Sequence, residues 1–63
     1  MPQKVRDVIR RLEDEGWYLV RTRGSHRQYK HPTKPGTVTV PGKPGSDVAE
    51  KTWQSIQKQA GWR

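Results

Sequence analysis

The sequence predicts one α+β domain spanning residues 1–63: a three-stranded antiparallel sheet with two helices packed on one of its faces. Two observations carry this. Apolar residues recur at helical spacing near both ends of the chain. Between them lie three short runs rich in β-branched or aromatic residues, separated by Gly- and Pro-containing turns. At 63 residues the chain is one small domain that buries only about 60% of its unfolded surface, so one compact core must hold it together. With no cysteine, neither a disulfide nor a Cys-based zinc site can help.

The first helix is expected from Pro2 to Glu15. Val5, Val8, Ile9 and Leu12 form its single apolar stripe. Pro2 suits a first turn, where no N–H is needed, and Gly16 suits the left-handed residue that stops a helix. WYLVRTR (17–23) reads as a strand of imperfect alternation, and either face can be the buried one. Gly24-Ser25 supplies a two-residue hairpin turn of the Gly-X type. His26 to His31 returns as the second strand and ends at Pro32. PTKPG (32–36) is turn chemistry, because its prolines cannot donate to a ladder. TVTV (37–40) alternates cleanly, with Val38 and Val40 inward, and PGKPG (41–45) forms a rigid loop. The last helix is expected to start in SDVAE, where Asp47 and Glu50 have capping-box spacing and Ser46 is an alternative cap. Its buried face is Ala49, Thr52, Trp53, Ile56 and Ala60, and Gly61 ends it. Trp17 and Trp53 are expected in the core, while Trp62 can be exposed or folded back over the helices.

Charge narrows the function. The net charge is +7, yet residues 1–16 carry four charges of each sign. Residues 17–45 hold Arg21, Arg23, Arg27, Lys30, Lys34 and Lys43 and no acidic residue. A one-sign field confined to one part of a domain attracts polyanions. No apolar run is long enough to span a membrane and the N-terminus lacks the apolar block of a signal peptide, so a cytoplasmic, membrane-free location is expected.

Within the basic zone, His26 follows the Gly-Ser turn directly. Imidazole can take and give a proton near neutral pH. RNA carries its own nucleophile, the 2′-hydroxyl. A small protein therefore needs only a base beside it and cations that hold the phosphate as charge builds. Arg21, Arg23, Arg27, Lys30 and Lys43 are the candidate phosphate contacts. Ser25 and the turn N–H groups can hold a phosphate oxygen. This chemistry requires no metal and no cofactor. The alternative reading of His26 is an ordinary surface residue of a hairpin. His31, ahead of Pro32, reads as a strand-end residue. Tyr29 is a residue that stacks on a base or, more often, packs in a core.

Gly16-Trp17, the basic strand, Gly24-Ser25-His26, VTVPGKPG and the closing IQKQAG together resemble the HicA family of bacterial toxins. The resemblance covers nearly the whole chain. It implies a fold like the double-stranded RNA-binding domain, in the order α-β-β-β-α. It implies an endoribonuclease that cleaves mRNA and inhibits translation and growth, with His26 as the catalytic residue. It also implies a HicB-type antitoxin that binds over the toxin and masks His26. DVAEKTWQ at the start of the last helix lacks the clustered lysines that straddle an RNA duplex, which favours single-stranded mRNA. Two other classes fit the charge map: an RNA-binding domain without chemistry, and a module that docks an acidic protein.

Overall fold

The computed structural model of the protein describes residues 3–62. Pro2, expected in the first helical turn, lies outside them. The elements run β1 (Gln3–Lys4), α1 (Val5–Asp14), β2 (Tyr18–Arg23), β3 (His26–Lys30), β4 (Val38–Val40), β5 (Asp47–Val48) and α2 (Glu50–Ala60). Strands β2, β3 and β4 form an antiparallel meander in that order, and β1 pairs with β5 in a small second sheet. The expected α-β-β-β-α order is present, with this ribbon added.

One apolar cluster joins the layers. Val5, Val8 and Leu12 of α1 meet Tyr29, Val38 and Val40 of the sheet and Ile56 and Ala60 of α2, all buried. Tyr29 pairs with Val38 across β3 and β4, so these residues share one face, and both helices lie on it. Ile9 and Trp53 pack partly buried against the cluster. Thr52 is half-buried, whereas Ala49 is exposed because it precedes the helix rather than belonging to it.

The two helices stop in the same way. At the end of α1, Gly16 has φ +98°, its N–H bonds to the Glu13 carbonyl, and the Trp17 N–H bonds to the Leu12 carbonyl at 3.0 Å. At the end of α2, Gly61 has φ +79° and the Trp62 N–H bonds to the Gln57 carbonyl at 2.7 Å. Both are glycine-terminated Schellman-type ends, and each delivers a tryptophan to the core. Trp17 is buried and packs edge-on against His31, with ring centroids 5.2 Å apart. Its Nε1 is buried without a partner among the described residues, a cost accepted to bury the ring. Trp62 folds back: it is buried, its Nε1 donates to Glu15 Oε1 at 2.7 Å, and the Arg11 guanidinium sits 3.9 Å from its ring centre.

The start of α2 corrects one expectation. Asp47 does not cap the helix. It lies in β5, opposite Lys4, and its carboxylate pairs with the Lys4 ammonium at 2.9 Å. The helix begins at Glu50 with Ala49 at the cap position and no side-chain cap bond. Pairing with residues 3–4 draws Asp47–Val48 into extended backbone and buries Val48, which outweighs a local capping preference. The adjoining loop serves α1 instead: the carbonyls of Ser46 and Pro44 accept the N–H groups of Val5 and Arg6, at 2.9 and 3.1 Å. These are N–H groups that a helix start leaves unsatisfied.

Candidate active site

Strand pairing decides which side chains share the open face of the sheet. Val38 and Val40 are buried under the helices, so residues paired with them face inward. Gln28 pairs with Thr39 and therefore faces the other way, together with its period-two neighbours His26 and Lys30. Across the hairpin, His26 stands opposite Arg23, Gln28 opposite Arg21, and Lys30 opposite Tyr18. The open face thus gathers His26, Arg23, Arg21, Lys30, Gln28, Tyr18 and Thr39.

A β-bulge makes this possible. The register shifts between Leu19 and Arg21, leaving Val20 without a partner on β3. Leu19 opposes Tyr29 and lies on the helix side, yet Arg21 opposes Gln28 on the open side. In a regular strand Leu19 and Arg21 would share a face. The extra residue is why the alternation in WYLVRTR looked imperfect, and it puts both arginines beside the histidine.

The turn is as expected. Gly24 has φ +60° and Ser25 does not have positive φ, the pattern of a tight Gly-X hairpin. The sequence did not foretell what holds this turn. Gly42, at φ +100°, donates its N–H to the Ser25 carbonyl at 3.1 Å, and its own carbonyl accepts from Arg27 Nη1 at 3.0 Å. Loop 41–45 is therefore latched to the start of β3, and its Lys43 follows directly on the latched glycine. The same loop is tied to α1 through Pro44, so it is anchored on both sides.

Of the residues expected at the site, His26, Arg21, Arg23 and Lys30 come together on one exposed face. Ser25 sits in the turn and Lys43 in the latched loop. Arg27 does not join them: it pairs with Val40, faces the helix side half-buried, and spends a guanidinium N–H on Gly42. His31 is likewise structural. Its Nε2 donates to the Glu15 carbonyl at 2.9 Å, and its Nδ1 accepts from the Thr33 and Lys34 N–H groups at 3.1 and 3.2 Å. Both ring nitrogens are thus occupied, in the pattern of the neutral Nε2–H tautomer. Tyr29 packs in the core, and burial pushes its phenol above the ordinary tyrosine value. Gln28, in the middle of the face, is not among the residues expected there, although counting by twos from His26 finds it.

No carboxylate stands on this face, because residues 17–45 contain none. Among the described residues nothing hydrogen-bonds the exposed His26 ring. The arrangement offers an exposed imidazole among exposed positive charges on one open face. The fold and this face together define a small two-layer α+β domain with one basic, histidine-bearing sheet surface. A family model described as the HicA toxin of bacterial toxin-antitoxin systems matches residues 5–62, and the chain belongs to that family. It is thus the toxin of a toxin–antitoxin pair, in a family of mRNA interferases. A comparison with curated proteins finds no match. Among the described residues, no helix is long and apolar enough to cross a membrane.

Proposed function

We propose that the protein is an endoribonuclease that cleaves mRNA without a metal, using His26 as its proton-transfer residue. The observation that carries this reading is the placement of His26 opposite Arg23, with Arg21 and Lys30 on the same exposed face. The imidazole takes the proton of the 2′-hydroxyl as that oxygen attacks the adjacent phosphorus. A 2′-O–P bond forms, the P–O5′ bond breaks, and the leaving 5′-oxygen takes a proton from the imidazolium or from water. Arg23, Arg21 and Lys43 hold the phosphate oxygens as negative charge builds on them, and Lys30 and Ser25 contact the flanking backbone. Preorganised charge of this kind and a positioned proton carrier are each worth about 10²–10³-fold or more in rate.

Arg27 acts in this scheme through Gly42, as a residue that positions the loop rather than touching RNA. The antitoxin, a HicB-type protein, inhibits by covering the open face and His26. The site of action is the cytoplasm, where the mRNA is.

The test is His26→Ala. The variant should lose RNA cleavage and growth inhibition while its circular dichroism spectrum stays unchanged. Full cleavage by a preparation free of host nuclease would end the assignment. Products should carry 2′,3′-cyclic phosphate ends, whereas 3′-hydroxyl ends would exclude attack by the 2′-oxygen. One observation favours a second reading, a binding domain without chemistry: among the described residues no group orients the His26 ring, as catalytic histidines usually require. An RNA with a single 2′-deoxy nucleotide at the scissile position separates the two. A nuclease of this type leaves it intact and a binder holds it as before.

A further inference from the structure

We propose that the outer edge of β2 is a docking edge for protein, which takes an extended segment carrying aliphatic and acidic residues as a fourth strand of the sheet. The inference rests on the fold and on family membership, not on any role for His26.

The two edges of the sheet are treated differently. At β4, α2 packs alongside, and the Thr39 N–H is occupied by Gln59 Oε1 at 3.2 Å. At β2, the longest strand, all six residues are exposed, and among the described residues its only strand neighbour is β3. An uncovered row of N–H and C=O groups is a template for another strand, and folded proteins ordinarily blunt it. Here the Val20 bulge and two arginines blunt it only in part, and the edge is divided. Its first half carries Tyr18, Leu19 and Val20, 50, 49 and 45% exposed, the large apolar residues that the described chain leaves in solvent. Its second half carries Arg21 and Arg23.

Complementarity selects the occupant. Cross-strand pairs favour aliphatic residues against Leu19 and Val20, and carboxylates against the arginines. A partner strand of that composition satisfies the backbone row, the apolar trio and the charges together. RNA answers only the arginines. A second copy of this chain is a poor occupant, because two-fold pairing of β2 with itself brings four arginines onto one ribbon.

The experiment uses the chain and the antitoxin encoded with it. Backbone amide exchange is followed by mass spectrometry for the toxin alone, with antitoxin, and with oligouridylate. Amides of residues 18–23 should exchange at least tenfold more slowly in the protein complex and be little changed by the RNA. A Leu19→Lys/Val20→Lys double variant alters two exposed side chains, so it should retain the wild-type circular dichroism spectrum. It should bind antitoxin at least tenfold more weakly while binding oligouridylate no less tightly. Unchanged exchange in β2 within the complex would overturn the proposal, as would full antitoxin affinity in the variant. Protection of β2 by RNA alone, or by concentration-dependent self-association, would overturn it in favour of those occupants. If the variant fails to fold, the wild-type exchange experiment decides.

Discussion

Replacing Arg27 by methionine removes one bond and keeps most of the aliphatic stem. The bond lost is Nη1 to the Gly42 carbonyl, 3.0 Å long and half-buried. A hydrogen bond with a charged donor contributes about 1.5–3 kcal/mol net. A domain of this size has roughly 3–9 kcal/mol in total, at about 0.05–0.15 kcal/mol per residue. Arg27→Met should therefore lower the melting temperature by on the order of 10 °C and remain folded in the cold. The Gly42 N–H to Ser25 bond and the Pro44 carbonyl's bond to α1 survive, so the variant loosens the Gly42–Lys43 end of the loop without releasing the whole of it. If the latch serves cleavage by holding Lys43 beside the turn, Arg27 and Lys43 must act as a unit. Single-turnover cleavage by wild type, Arg27→Met, Lys43→Met and the double variant measures this, at a temperature where all four are folded. Lys43→Met should cost much less in the Arg27→Met background, with a coupling of about 0.5–3 kcal/mol, or about 2- to 150-fold in rate. Effects that multiply within twofold would refute the positioning role, as would undiminished cleavage by Arg27→Met.

Three further outcomes follow from the bonds described. The Trp62 N–H, against an opposing effect of burial and with help from Arg11, holds the Glu15 carboxyl below its ordinary value of about 4.3. A depressed folded value adds stability above about pH 4.3 that is lost as pH falls through it, so the melting-temperature gap between wild type and Glu15→Gln should close in acid. Burial raises the Tyr29 phenol, with Glu13 adding to the rise, so the stability it adds is intact below about pH 10 and lost as pH climbs further. Urea titrations should show a steeper alkaline decline for wild type than for Tyr29→Phe. His31→Ala leaves the Thr33 and Lys34 N–H groups and the Glu15 carbonyl to water; it should cost about 0.5–1.5 kcal/mol by thermal melting yet keep its cleavage rate when folded. A loss of cleavage as complete as that of His26→Ala would make His31 more than structural.

Local chemistry was enough to read much of this protein from its residues. The Val5, Val8 and Leu12 stripe is buried, both Gly-Trp pairs end helices, and Val38 and Val40 face the core. In each case the deciding interaction spans a few residues. The misreadings are non-local. Asp47 has a capping residue's sequence context, but residues 3–4, more than forty positions away, claim it for a strand. Arg27 looks like its basic neighbours until Gly42 folds back and accepts from it. The bulge at Val20 has no local signature, since an aliphatic β-branched residue suits any strand position. The place of His26 directly after its turn is legible because that turn is local, whereas which residues share the open face with it depends on register.

Val20 also makes the basic face depend on strand register in a way that composition does not reveal. Side-chain direction along a strand is a matter of odd and even, and Val20 changes the count by one between Leu19 and Arg21. Deleting it would restore strict alternation with Leu19 still on the helix side and Arg21 and Arg23 still on the open face, whereas a β2 that kept Val20 but paired without the bulge would carry both arginines to the helix side. The net charge would still be +7, and the histidine would still follow its turn. The same residues paired without the bulge would present a face stripped of both arginines, so in this strand the register matters as much as the kind of residue.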